Sequence, residues 1–334
     1  MSLGCLDGVY ATSSRTKMIE PFGLRPVATL VTLITSMTSP FSSRPSYRGR
    51  LAPSPTGYLH LGHARTFWKA YQRAVAADGT LIMRMEDLDP ERSRAEYAET
   101  AFEDLHWLGI RWQEGPELGG PYAPYEQSKR RAVYLDAWQK LLAGGYLFPC
   151  RCSRKDLEAA LSAPHEGLLH DAQSDTEPLD DEPVYPGTCR QFQAVPLQPD
   201  GFNWRFRVHD GEVIEFDDGN FGPQRFIAGR DFGDFVVWRR DGVPSYQLAC
   251  VADDAAMGIT EVVRGEDLLK STARQILLYR ALGLGVPDWF HCRLTVDSKG
   301  KRLAKRHDAL SLRVLRQRGV APMEILSTDF KVQD

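Results

Sequence analysis

Two histidines three residues apart, His60 and His63, follow the loop Pro53-Ser54-Pro55-Thr56-Gly57. Residues 48–52 read as a short strand, and beyond Leu61 the apolar positions Ala64, Phe67, Trp68, Tyr71, Ala74 and Val75 recur at helical spacing. The pair therefore stands where a strand hands over to a helix. A helix start presents unpaired N–H groups and the positive end of the helix dipole, and both favour an anion. Imidazoles added there can hydrogen-bond phosphate oxygens and favour charge that builds during attack on phosphorus. The same two side chains would serve equally as packing or surface residues, so the chemistry rests on what accompanies them.

Four other constellations accompany them. Carboxylates follow the expected strand 81–85 as Glu86-Asp87-Leu88-Asp89, and carboxylates at the ends of parallel strands face the ligand crevice. Arg264 ends an expected strand at 260–264 beside a helix start, with Arg50 and Tyr246 as companions; arginine suits bidentate carboxylate binding, although a surface ion pair is the plainer use. The basic loop Asp297-Ser298-Lys299-Gly300-Lys301-Arg302-Leu303-Ala304-Lys305-Arg306 can bring ammonium groups to a leaving anion or be a solvated turn. Cys150 and Cys152, with Tyr185 and Cys189 downstream, are one ligand short of the usual Cys/His zinc set.

The elements that must position these groups fit an ordinary globular chain. Its 334 residues suffice for two domains, and a net charge of −3 is weak testimony against a nucleic-acid partner, because a balanced total can hide a basic groove. No apolar run is long enough to span a membrane, and six scattered cysteines form no disulfide framework, which points to a reducing, cytoplasmic setting. Strand 48–52, a helix and strand 81–85 make a βαβ unit of the kind that builds nucleotide-binding parallel sheets. Helices are expected over about 95–108 and 127–143, with a capping pair Ser153 and Asp156 after the Cys-x-Cys. Residues 203–208 and 212–216 alternate around Asp210-Gly211, which predicts a hairpin with a type I′ turn. A strand at 235–239, a helix bearing Leu269, Ala273, Ile276 and Leu277, and short helices at 311–318 and 322–326 complete the list. Residues 1–47, rich in Ser and Thr and poor in acids, are expected to be disordered, with Met37 a simpler native start.

With its context, the string Pro53-Ser54-Pro55-Thr56-Gly57-Tyr58-Leu59-His60-Leu61-Gly62-His63 resembles the HIGH signature of class I aminoacyl-tRNA synthetases, in the glutamyl/glutaminyl branch. The resemblance covers about residues 48–327. It implies an α/β fold: a class I synthetase Rossmann-like parallel sheet with an inserted acceptor-binding-type subdomain and a small zinc knot. The implied divisions are an extension at 1–47, a first nucleotide-binding half at 48–149, the insert at 150–240, a second half at 241–310 and a helical tail at 311–334. Carried over position by position, it implies ATP contacts from His60, Gly62, His63, Arg302 and Lys305, with His60, His63 and Lys305 catalytic. Arg50, Ala52, Ser54, Glu86, Tyr246 and Arg264 would hold glutamate. The basic loop resembles the KMSKS motif; Arg302 replaces its first lysine and Ala304 its serine, which touches the rate of activation more than its existence. Cys150, Cys152, Tyr185 and Cys189 resemble the ligands of a single structural Zn²⁺, and Mg²⁺ would come with ATP. The long acidic insertion before Tyr185 brings His165 and His170 into play as substitute ligands.

After Lys305 the chain runs only to Asp334, short of an independent domain. In this it resembles the glutamyl-Q tRNA(Asp) synthetase family, which activates glutamate without tRNA and attaches it to queuosine in the anticodon loop of tRNA(Asp). The partners implied are ATP, L-glutamate and tRNA(Asp), with no membrane and a monomeric state. The rivals are a truncated glutamyl-tRNA synthetase charging the 3′ end and a non-catalytic tRNA-binding paralogue. A dinucleotide-dependent oxidoreductase is disfavoured, since no Gly-x-Gly-x-x-Gly follows the first strand.

Overall fold

Strand β1 (Arg48–Leu51), helix α1 (Leu61–Ala76) and strand β2 (Thr80–Met83) form the βαβ unit, with β1 and β2 parallel from Arg48↔Thr80 to Leu51↔Met83. In this computed structural model the described residues are 46–152, 156, 184–192, 198–295 and 311–327. The expectations for Met37, Ser153, His165, His170, Arg302, Ala304 and Lys305 lie outside them. Helix α1 buries Leu61, Ala64, Ala70 and Ala74, whereas Val75, expected on the apolar face, is 60% exposed. Val75 lies in the last turn of the helix. Asp78 then adopts a left-handed φ of 47°, and Gly79 admits the backbone of Tyr47 so closely that a Cβ would lie 2.6 Å from its carbonyl oxygen.

Helix α2 (Ala95–Trp107) stops at Gly109, whose φ of +82° is a glycine conformation. The expected helix at 127–143 is divided. A 3₁₀ turn at Gln127–Lys129 precedes α3 (Arg131–Ala143), and Arg130 between them is bent inwards. Its guanidinium reaches Asp253 at 2.6 Å and the carbonyls of Tyr122 and Pro124 at 2.8 Å, so a buried ion pair overrides helical continuity.

Strand β3 (Leu147–Cys150) pairs antiparallel with β4 (Asn203–Phe206). The hairpin expected around Asp210-Gly211 does not form. Instead β5 (Val213–Asp218) pairs with β6 (Gly222–Ile227), and β4 pairs with β7 (Phe235–Trp238). Arg190 takes the Asp210 carboxylate and Gly211 N–H bonds the Ala228 carbonyl, so the intended turn becomes a crossing between sheets.

Ser245 caps α4 (Tyr246–Ala256), and β8 (Glu261–Gly265) passes through a 3₁₀ turn at Glu266–Leu268 into α5 (Leu269–Ala281). Strand β9 (Asp288–Cys292) is parallel to β8 and meets β5 at Asp218↔Trp289. Short helices α6 (Leu312–Gln317) and α7 (Pro322–Leu326) follow.

Thr260 N–H bonds the Arg48 carbonyl at 2.9 Å, setting β8 beside β1. Ladder pairing gives a two-stranded sheet β1-β2 and a four-stranded sheet β6-β5-β9-β8, and this bond joins their edge strands β1 and β8. In parallel α/β sheets the ligand crevice lies outside the strands' carboxyl ends. One core unites Tyr134, Trp138, Trp204, Phe235, Trp238, Val262 and Ile276; a second joins Leu51, Leu61, Leu81 and Leu105 to Leu312, Leu315 and Ile325. Among the described residues no helix is long and apolar enough to cross a membrane.

Candidate active site

The corner between β1 and α1 is fixed by its histidines. His60 is the helix N-cap; its Nδ1 accepts from Gly62 N–H at 3.1 Å, while His63 Nδ1 accepts from His60 N–H at 3.2 Å. The rings stack at 3.8 Å. With Nδ1 an acceptor, a neutral ring at either position carries its proton on Nε2. Gly62 lets the His60 ring fold close over the helix start: a Cβ would sit 3.0 Å from His60 Cε1, so the ring would have to shift.

Both flanks of the basic loop return to this corner. Leu312 N–H bonds the Leu59 carbonyl at 2.8 Å and Ser311 bridges His60, just after the loop. On the side before it, a Cβ on Gly62 would lie 3.9 Å from the Thr295 hydroxyl. Arg302 and Lys305 themselves lie outside the described residues, but Lys305 is six residues from Ser311. A chain of that length spans at most about 20 Å.

The glutamate candidates gather across the strand ends. Leu51 and Pro53 carbonyls accept from Arg84 and Glu86 N–H at 2.8 and 3.0 Å, so Ala52 and Ser54 run beside Glu86. Glu86 Oε1 accepts from Arg84 Nη2 at 3.0 Å and from the Cys250 thiol at 3.4 Å. Burial keeps that thiol protonated, well above its ordinary range. Fully buried Arg84 also bonds Asp254 at 2.5 Å, and Asp254 lies 3.4 Å from Arg50 Nε. Arg50 Nη1 donates to the Val263 carbonyl at 3.0 Å, tying β1 to β8; its Nη2 takes no partner among the described residues.

Arg264 is held more completely. Nε donates to His291 Nε2 at 3.2 Å, Nη1 to Tyr246 at 3.3 Å and Gln275 at 2.8 Å, and Nη2 to Thr272 at 2.7 Å and Leu268 O at 3.3 Å. Its guanidinium carbon lies 4.9 Å from the centre of the Trp289 ring. Tyr246 senses Cys250, Arg264, Glu86 and Arg50 together, and burial lifts its hydroxyl far above its ordinary range, so it is a donor. Having accepted from Arg264, that hydroxyl can turn its own proton towards a carboxylate.

Sequence reasoning missed Arg84, Asp253 and Asp254, and the Asp218–His291 pair behind Arg264. A local signal existed for the first group: Asp253 and Asp254 interrupt an otherwise apolar helix and had to be paired. No local signal joins Asp218 to His291. The His291 ring is completely buried, with Nδ1 2.6 Å from Asp218 Oδ2. Burial first, and the Arg264 charge second, push it down to about 4 from 6.5 despite the Asp218 bond.

The cysteine cluster stands apart, against Phe148. The sulfurs of Cys150, Cys152 and Cys189 lie within 4.8 Å of one another. Cys152 is 3.7 Å from Cys189, and the Tyr185 oxygen is 3.4 Å from Cys150 and 3.7 Å from Cys152. A tetrahedral site with metal–sulfur bonds of about 2.3 Å has edges of about 3.8 Å. Three soft sulfurs and one oxygen at these separations fit one such ion. Burial lifts the Cys152 thiol to about 11, a position a cation would reverse.

Residues 46–329 match the family described as tRNA synthetases class I (E and Q), catalytic domain. The chain is 50% identical over 283 residues to the glutamyl-Q tRNA(Asp) synthetase of Symbiobacterium thermophilum, covering 83% of this chain and 84% of that one. It is 47% identical to the protein of the same name from Nitratidesulfovibrio vulgaris, covering 83% of each. The crystal structure of glutamate-tRNA synthetase from Elizabethkingia anophelis superposes with a TM-score of 0.67 at 31% identity, covering 78% of this chain but 53% of that one. The described fold thus matches about half of that longer protein.

The buried histidine sets a pH dependence of stability. Folded, His291 stays neutral down to about 4; unfolded, it protonates near 6.5. As pH falls through that window the unfolded chain gains a proton that the folded chain refuses, so stability declines, by roughly 3 kcal/mol once both values are passed. Urea unfolding between neutral pH and pH 4 should show this slope in the wild type and a flatter one in His291→Gln.

Proposed function

This chain belongs to the class I tRNA synthetases of the glutamate and glutamine type, and on that premise we propose that it activates L-glutamate with ATP, without tRNA, and transfers the glutamyl group to queuosine in the anticodon loop of tRNA(Asp). It is a ligase. The observation that carries the reading is that the histidine corner, the described residues on both sides of the lysine loop, and an acid–arginine pocket all stand at the carboxyl ends of β1, β2 and β8. The identity of 47–50% to glutamyl-Q relatives, against 42% to a glutamate–tRNA ligase of Nitrosococcus oceani, supports the acceptor.

In the proposed mechanism Glu86 receives the ammonium group of glutamate, and Arg50, Tyr246 and Arg264 bind its carboxylates, with Ala52 and Ser54 lining the entry. ATP lies with its phosphates over His60, Gly62 and His63, whose Nε2 protons and helix start favour the developing charge. The α-carboxylate of glutamate attacks the α-phosphorus, and pyrophosphate leaves. Lys305 and Arg302 neutralise it; Mg²⁺ accompanies ATP as part of the substrate. A queuosine hydroxyl then takes the acyl group from the adenylate and AMP leaves. Positioning and charge stabilisation carry the catalysis, with no covalent protein intermediate. Cys150, Cys152, Tyr185 and Cys189 would hold one structural Zn²⁺ which, with four protein ligands, contributes stability and no reactive position.

Three measurements check these assignments. Labelled glutamate should enter queuosine-containing tRNA(Asp) and neither queuosine-free tRNA(Asp) nor tRNA(Glu); labelling of tRNA(Glu) would favour the 3′-charging rival, and no labelling at all a binding paralogue. Lys305→Ala should slow glutamate-dependent pyrophosphate exchange on the order of a hundredfold or more, and an unchanged rate would contradict its role. Metal analysis should find about one zinc per chain, lost together with melting temperature in Cys189→Ser; zinc-free wild type of undiminished stability would remove the metal from the account.

A further inference from the structure

Arginine only donates. Arg264 Nε points at His291 Nε2, so that nitrogen must be bare and the ring's single proton must sit on Nδ1. Asp218 is the acceptor that keeps it there, at 2.6 Å. Asp218 is itself fixed by N–H groups of Asn220, Phe221 and His291 at 3.0, 2.9 and 3.1 Å, at the residue where β5 joins β9. His291 also lies 3.1 Å from the Thr272 hydroxyl, which accepts from Arg264 Nη2. The imidazole thus locks one edge of the guanidinium directly and the other through Thr272, while Trp289 covers a face.

We propose that Asp218 and His291 are positioning residues that fix the tautomer facing Arg264, and thereby hold that guanidinium in the orientation that recognises the amino-acid carboxylate. The inference rests on the reading that Arg264 contacts glutamate. An imidazole with its proton on Nε2 would set N–H against N–H and turn Arg264 out of register. A loss here is expected to strike recognition of the amino acid, while the ATP contacts proposed at His60, Gly62 and His63 do not touch the Asp218–His291–Arg264 chain.

Two replacements of one ring separate its two bonds. Asparagine reaches only as far as Nδ1, keeping the Asp218 partner and losing Arg264. Glutamine reaches to the Nε2 position and offers Arg264 a carbonyl oxygen. Asp218→Asn keeps Oδ1 for Asn220 and Phe221 but meets the ring with an amide N–H, favouring the wrong tautomer. Glutamate affinity by titration calorimetry, and KM for glutamate and ATP in pyrophosphate exchange, are measured on the full chain. A hydrogen bond to a charged group is worth enough to predict a glutamate KM and Kd raised about 10- to 100-fold in His291→Asn. Asp218→Asn should shift in the same direction, His291→Gln should recover most of the affinity, and the ATP KM should stay within about twofold throughout. If His291→Asn does not fold, Asp218→Asn and His291→Gln carry the comparison. Equal rises for glutamate and ATP, or glutamate values that ignore all three changes, would overturn the relay. Wild type that binds glutamate with this pattern of shifts yet exchanges no pyrophosphate would overturn the enzymatic reading and leave the relay standing; wild type that does not bind glutamate at all would remove both.

Discussion

Arg84 is wholly buried, and the geometry of the crevice depends on how its charge is balanced. Asp254 and Glu86 bond it, and Asp253 lies 4.0 Å from its Nε. Those carboxylates are shared with Arg50 and Arg130, so three cations and three anions form one neutral cluster. Removing ions from water is so unfavourable that such clusters contribute little net stability. They impose geometry instead, because any displacement leaves a buried charge unpaired. This cluster draws on β1, β2, the turn before α3, and α4. It sets where Glu86 and Arg50 stand, and Asp253 further binds Gln127 and Tyr134 at 2.8 Å. The broken helix at Arg130 is the local concession to it.

What was legible locally was what local physics decides. Helix α1 follows from apolar spacing. The histidine corner, Glu86, Arg264 and the cysteine set stood out by residue type and place, but spacing alone left packing or surface uses open for each, and their roles came from the family resemblance. The hairpin at 203–216 was misread because Asp210-Gly211 carries good turn chemistry, while Arg190 and Ala228, which claim its polar groups, come from elsewhere in the chain. Asp218 and His291 are 73 residues apart and meet only because β5 joins β9. Long-range pairing of this kind has no periodicity to announce it. The basic loop was legible as a motif, and the described residues on either side of it, Thr295 and Ser311, stand at the corner.

Two of the buried arginines at the crevice, Arg84 and Arg264, differ in how their charge is met. Arg84 is neutralised by carboxylates and has no charge left to offer. Arg264 is equally buried, but its five partners are an imidazole, two hydroxyls, an amide and a carbonyl, none of them charged. The Asp218 carboxylate behind it is separated by the width of the ring. Neutral acceptors satisfy the directions of a guanidinium without cancelling its charge, so Arg264 keeps a full attraction for an anion in a setting of low dielectric. Its bonds are also graded. Those to Thr272 and Gln275 are short, at 2.7 and 2.8 Å, and those to Tyr246 and Leu268 are long, at 3.3 Å. A carboxylate offers bonds about twice as strong as neutral ones, so in the role proposed for Arg264 the substrate would compete first with the Leu268 carbonyl, while Thr272, Gln275 and His291 hold the plane of the group. Recognition in that role would need no rearrangement of the scaffold, because the arginine is already aimed.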